Sequence, residues 1–212
     1  MSHTLHREGT VENLSNDYVV MIHPAQKHNV AWSQEASKKF LEIAKGFKFD
    51  NLGVSKAYNI GRNDGDIDKM IEQVPEWGAV SMIVFTDAVE MVRFLRAIKE
   101  ADLGISCVVT GVFEKVKECA EMAGLKPHSV NMSYGIYGNT DRLAPDNCRE
   151  ISTMCGHGFV TSALILDMVD KIKKDKVSPE EAAKELDVFC TCGIFNKTRA
   201  AMLLAKMAEA DA

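Results

Sequence analysis

Short apolar runs alternate along this chain with segments whose apolar residues recur at helical spacing, and few folds accept that order. Residues 18–22, 79–85 and 105–109 read as buried strands. Between and after them, Trp32, Ala36, Phe40, Ile43, Ala44 and Phe47 mark one helix, Ala88, Met91, Val92 and Leu95 a second, and residues 112–123 a third that Gly124 ends. Asp87 with Glu90 supplies a capping-box pattern for the second helix. Residues 51–60 are expected to be extended, 66–74 a short helix stopped by Pro75, and 129–134 a further strand. Strands that are apolar along their whole length, joined by helices, imply an α/β fold: a largely parallel, Rossmann-like sheet with helices on both faces.

The character changes near Pro145. Residues 1–145 are expected to form the α/β body and 146–212 a helical lobe. That lobe has helices over about 158–174, from Ser178-Pro179 with Glu181 completing a capping box, and after Asn196. Its last helix carries Ala200, Leu203, Leu204 and Met207 as an apolar stripe, which must lie on the body or on a partner subunit, and a homodimer is consistent with it.

Composition narrows the function. The chain has 212 residues, net charge −5 and no basic block, which argues against a nucleic-acid partner. No apolar stretch approaches the ~20 residues of a membrane span, and the N-terminal residues show no export signal, so a cytoplasmic protein with reduced thiols is expected. Neither a phosphate-binding glycine loop nor a serine nucleophile elbow occurs.

The chemistry then falls to the cysteines. Of six, Cys107 lies in a strand and Cys119 on a helix face, where free cysteine is ordinary core. Cys155 in Met-Cys-Gly-His-Gly, and Cys190 with Cys192 in Phe-Cys-Thr-Cys-Gly, instead occupy glycine-bearing loops expected at helix starts, where main-chain N–H groups stabilise sulfur charge. Gly156 and Gly193 would let backbone approach a bulky inorganic group. These features predict a [4Fe–4S] cluster on Cys155, Cys190 and Cys192 in an enzyme of oxygen-avoiding metabolism. An open iron would act on a small polar or carboxylated substrate by hydration, dehydration or sulfur transfer. His157 or His23 is the expected proton carrier and Arg199 the carboxylate clamp.

Cys148 is the candidate fourth ligand; with it the cluster would be closed and serve electron transfer or regulation. Zinc on Cys155, His157, Cys190 and Cys192 is the tighter-spaced alternative. Cluster-free thiol chemistry is the third. Further polar candidates follow the strands: Gln26 and His28 beside His23, then Thr86 and Asp87, Thr110 and Gly111, and Asn131 and Ser133.

Met154-Cys155-Gly156-His157-Gly158 resembles the catalytic cysteine segment of the proline racemase family, whose second cysteine also precedes a glycine, as Cys192 precedes Gly193. The resemblance implies two thiols acting as acid and base on opposite faces of an α-carbon. It covers only these two short stretches, and the strand–helix order departs from that family's β-rich lobes.

Overall fold

The computed structural model describes Thr4 and residues 6–210. Five strands, β1 (Tyr18–His23), β2 (Asn51–Val54), β3 (Tyr58–Asn59), β4 (Ser81–Phe85) and β5 (Ser106–Thr110), form one sheet in the order β3-β2-β4-β1-β5. Every neighbouring pair is antiparallel. The expected largely parallel, Rossmann-like sheet is therefore overturned.

The reason is topological. Strand β1 and strand β2, joined by helix α2 (Ser33–Ala44), do point the same way, as do β4 and β5, joined by helix α4 (Ala88–Ala101). Each such unit is split, however, with a strand of the other inserted between its two strands: β4 lies between β1 and β2, and β1 between β4 and β5. The crossover helices were legible, but the interleaving leaves no mark on the local pattern. The strands are apolar throughout because both faces are covered, the same pattern a parallel sheet shows.

One face carries Tyr18, Val20, Ile22, Leu52, Ile83 and Phe85 into a core built with α2 and α4. Phe94 of α4 sits at its centre, with edge-on contacts to Phe40 at 5.1 Å and Phe47 at 5.3 Å between ring centroids. Helices α3 (Ile67–Glu72) and α5 (Phe113–Met122) flank this layer, and a four-residue α1 (Val11–Leu14) precedes β1.

The other face, through Val19, Met21, Met82 and Val84, packs on four C-terminal helices: α6 (Asp146–Ser152), α7 (Ser162–Lys173), α8 (Pro179–Asp187) and α9 (Lys197–Ala210). The lobe expected over 146–212 is thus a third layer that shares its core with the sheet. Ser178 and Glu181 form the capping box that starts α8, and Asn196 Oδ1 accepts from Arg199 N at 2.8 Å to start α9. Ala200, Leu203, Leu204 and Met207 are all buried in this layer, so the α9 stripe lies on the body and is not exposed to a partner. Helix α7 begins at Ser162 rather than near Gly158, and α6, which holds Cys148, was not anticipated.

Residues 129–134, expected as a further strand, form none of the described strands. None of the described helices is long and apolar enough to cross a membrane.

Candidate functional site: a buried line of thiols

Cys155 stands in the loop between α6 and α7, and Cys190 and Cys192 in the loop between α8 and α9. Though distant in sequence, the three thiols meet. Cys190 is in hydrogen-bonding contact with Cys155 on one side and Cys192 on the other. Cys192 Sγ in turn lies 3.7 Å from His157 Nδ1. The contacts run in a line, Cys155–Cys190–Cys192–His157, and all three cysteines are buried.

Close approach of backbone makes this possible. A Cβ on Gly53 would stand 2.0 Å from the carbonyl oxygen of Cys192, and one on Gly193 would stand 2.5 Å from that of Leu52. The two glycines let the Cys192 loop lie directly on β2, and Gly193 adopts φ 72°, a conformation glycine takes without strain. Asn51 Nδ2 donates to Asp187 Oδ1 at 2.7 Å and to the Phe195 carbonyl at 2.8 Å. Asn59 Nδ2 donates to the carbonyls of Asp187 and Cys190 at 3.0 and 2.9 Å. Two strand asparagines thus pin both ends of the cysteine loop.

A second anchor comes from near the N-terminus. Arg7 donates to both Asp17 carboxylate oxygens at 2.7 and 2.6 Å, to the Met154 carbonyl at 3.4 Å and to the Ile194 carbonyl. Met154 precedes Cys155, and Ile194 lies just beyond Cys192. One guanidinium therefore ties the two cysteine loops together. Asp17 also receives Arg199 Nη1 at 3.0 Å. Sequence reasoning missed Arg7, Asp17, Asn51, Asn59 and Asp187.

The thiols are unequal. The hydrogen bond with Cys190, then burial, raises the Cys155 pKa, although the N–H groups of Val160 and Phe159 pull it down. Contact with Cys155 favours the Cys190 thiolate, yet the bond to Cys192 and burial push Cys190 up to about 12. The Cys192 thiol is lowered, first by the hydrogen bond from Cys190 and further by the Ile194 N–H, against burial. Of the three thiols, Cys192 is the one whose surroundings favour the thiolate. Asp187, three residues before Cys190, is pushed up to about 6 by burial, against Lys197 and the Asn51 hydrogen bond.

A cavity of about 340 Å³ opens beside Cys155, lined among others by His6, Ser152, Thr153, Gly158, Thr161 and Ser162. Among the described residues, its wall of hydroxyls and glycines contains no carboxylate and no Lys or Arg. Residues 156–159 are exposed and form the outer cover of the thiols, with His157 and Phe159 stacked at 6.0 Å.

The other expected residues fall elsewhere. Arg199 is wholly buried and taken up by Asp17, Asn13 and the Glu8 carbonyl, so it holds the fold and does not reach the cavity. His23 is exposed at the end of β1, with no contact to the cysteines among the described interactions. Cys148 is buried in α6, and burial alone raises its pKa; it makes no described hydrogen bond to the other thiols. The strand-end residues do not share one edge, because neighbouring strands run oppositely: His23 ends β1 at one edge, while Thr86 and Thr110 follow β4 and β5 at the other.

The donor set was tested against the expected metal groups. Among the described residues, no group of three or more His, Cys, Asp or Glu side chains is placed to hold a single metal ion. The zinc arrangement is thereby left without its donor set among the described residues. A cluster makes a different demand, since each thiolate binds a separate iron and the ligands surround a body instead of a point. Three soft donors, two of them (Cys155 and Cys192) with main-chain N–H groups at their sulfurs, are of the right chemical type for that demand.

The chain matches no protein-family model, no curated protein and no solved structure.

Proposed function

We propose that the three-thiol line is the ligand set of an iron–sulfur cluster, held by Cys155, Cys190 and Cys192, in an enzyme acting on a small polar substrate. The supporting observation is the placement of N–H donors. Val160 and Phe159 direct main-chain N–H groups at the Cys155 sulfur, and Ile194 and Cys192 theirs at Cys192. Such donors stabilise sulfur that carries negative charge. Adjacent buried thiolates repel, so charge on more than one requires a cation among them, and a cluster's irons would supply it. For a cube to enter, the touching thiols have to part, and the exposed loop 156–159 is the wall that can yield.

When bound, a cluster with an iron left open by the protein would supply Lewis-acid chemistry. The chain's own part is to orient substrate in the hydroxyl-lined cavity beside Cys155 and to hold or move a proton at His157. Cys148 makes no described hydrogen bond to the three thiols, and a set of three favours the substrate-binding reading over closed-cluster electron transfer or regulation. The location we read is the cytoplasm, where these thiols stay reduced.

A second reading follows from the Cys192–His157 contact at 3.7 Å. Cys192 would be a nucleophile, His157 its proton partner and Cys190 the neighbouring thiol, with no metal. Iron and acid-labile sulfide analysis of anaerobically purified protein, with its visible spectrum, separates the two. The cluster reading expects iron and sulfide in near-equal amounts, about four each, lost in both Cys155→Ser and Cys192→Ser. Colourless protein that fails to take up iron and sulfide under reconstitution sinks it. Alkylation of Cys192 ahead of the other buried cysteines would then support the thiol reading.

A further inference from the structure

Three thiols in successive contact can pass a bond along, which a lone thiol cannot. The loop after α6 and the loop after α8 meet at three places: Cys155 on Cys190, His157 Nδ1 on Cys192 Sγ at 3.7 Å, and the Met154 and Ile194 carbonyls on the same Arg7. Cys190 touches both other cysteines and is the middle of the line. The ends differ in their surroundings. Cys192 is 7% exposed, against 2% for Cys155 and 0% for Cys190, and the exposed His157 lies against it. Cys155, at the other end, borders the cavity. All six cysteines are free thiols.

We infer that this line is a thiol–disulfide exchange relay: a small disulfide oxidises it at Cys192, and the new bond is handed through Cys190 to rest between Cys190 and Cys155. The inference rests on the metal-free reading, with Cys192 as nucleophile, and adds its substrate class and the work of the other two thiols. Cys192 gives its proton to His157 and attacks one sulfur of the disulfide RSSR, whose S–S bond breaks. The departing sulfur takes the electron pair and that proton and leaves as RSH, so that Cys192 carries SR. Cys190 then attacks the Cys192 sulfur and expels the second RSH, its own proton going with it. Cys155 attacks Cys190 next; the Cys190–Cys192 bond breaks, and Cys192 recovers the electron pair and the proton that Cys155 gives up. Across the sequence two thiols are oxidised by two electrons and one disulfide is reduced to two thiols.

The resting place follows from the loops. Cys190 and Cys192 flank one residue in a turn closed by Gly193 N on the Cys190 carbonyl at 3.2 Å and pinned there by Asn59, so a bond between them must fit a held backbone. Cys155 belongs to the other loop, whose continuation through 156–159 is exposed and includes Gly158 at φ 74°, and it can advance on Cys190. The slight exposure of Cys192 suits a small disulfide and not a protein surface. With Cys155 and Cys190 joined, Cys192 alone keeps its thiol, and the oxidised chain cannot hold a cluster on three cysteines.

The test treats the metal-free full chain with bis(2-hydroxyethyl) disulfide and maps the products by non-reducing peptide mass spectrometry, with thiols counted in denaturant. Wild type should lose two of its six thiols, carry a Cys155–Cys190 link, and recover all six with dithiothreitol. Each variant should stop the relay at its own stage: Cys155→Ser at a Cys190–Cys192 bond, Cys190→Ser at a mixed disulfide on Cys192. Cys192→Ser should slow thiol loss at least about tenfold. The wild-type link decides the matter even where a serine variant fails to fold. Six persisting thiols overturn the relay, as does a resting Cys190–Cys192 bond or a link through Cys107, Cys119 or Cys148. A wild-type mixed disulfide on Cys192 that goes no further also overturns it, while leaving Cys192 standing as a nucleophile. Cys192→Ser that oxidises as fast as wild type sinks the relay and the nucleophile reading together.

Discussion

Asp187 offers the sharpest quantitative test of the site's packing. Its carboxylate is buried at the C-terminal end of α8, where the helix dipole also disfavours a negative charge, and burial pushes its pKa up to about 6. An unfolded Asp titrates near 3.9. The folded chain therefore binds this proton more tightly, so the stabilisation is complete below pH ~4 and is lost as pH rises through ~6. Two units of difference at 1.36 kcal/mol each make this roughly 3 kcal/mol. Asp187→Asn removes the charge and keeps a carbonyl oxygen for Asn51 Nδ2, which donates at 2.7 Å. The variant should match wild type near pH ~4 and exceed it by about 3 kcal/mol above pH ~7. Urea unfolding of metal-free protein, followed by circular dichroism across that range, reads the difference directly. A stability difference that stays the same at both ends of the range would refute a buried, ionising Asp187.

Two further perturbations address how the cysteine loops are held. Arg7→Met removes the guanidinium that bridges the Met154 and Ile194 carbonyls. It should cost about 3 kcal/mol, the lower end for breaking a buried ion pair because Asp17 keeps Arg199, and should speed reaction of the buried thiols with a disulfide reagent at least tenfold. Unchanged thiol reactivity would assign Arg7 to stability alone. Gly53→Ala drives a methyl into the Cys192 carbonyl and should cost ~3 kcal/mol in urea unfolding. Gly46→Ala, whose nearest non-neighbouring atom would be 3.6 Å away, should change stability by under ~1 kcal/mol. Equal effects at the two glycines would mean the loop does not rest on β2.

What the sequence made legible was whatever depends on local periodicity. The runs at 18–22 and 79–85 became β1 and β4, and the Ser178–Glu181 pattern became the start of α8. Strand direction was not legible, because pairing is a long-range choice and a doubly covered strand looks the same in either sheet. Cys155, Cys190 and Cys192 could be grouped because three thiols in glycine-bearing loops are unusual by themselves. Their supports could not, since Arg7, Asn51, Asn59 and Asp187 are residue types that ordinarily face water, and only burial distinguishes them. One signal was available for two of them: Asn51 and Asn59 sit at strand positions, where asparagine is disfavoured without a specific partner. Arg199 failed in the opposite direction. Its position near Cys192 suggested a substrate contact, and the fold spends it on Asp17.

The Arg7 bridge also bears on when the thiol centre can exist. Its guanidinium is 187 residues from the Ile194 carbonyl that it holds, and the Glu8 carbonyl is 191 residues from Arg199. On a ribosome delivering residues in order, Arg7 and Asp17 can pair with each other early, but the contacts of Arg7 with Ile194 and of Glu8 with Arg199 must wait until the last stretch of the chain emerges, while β1 and α2 can already begin to collapse. Cys155 therefore spends part of synthesis without Cys190 and Cys192 and without the clamp that sets their spacing. A nascent chain thus has single thiols but no centre. Any chemistry of the paired thiols is deferred to the moment at which the two distant stretches of the chain close on each other.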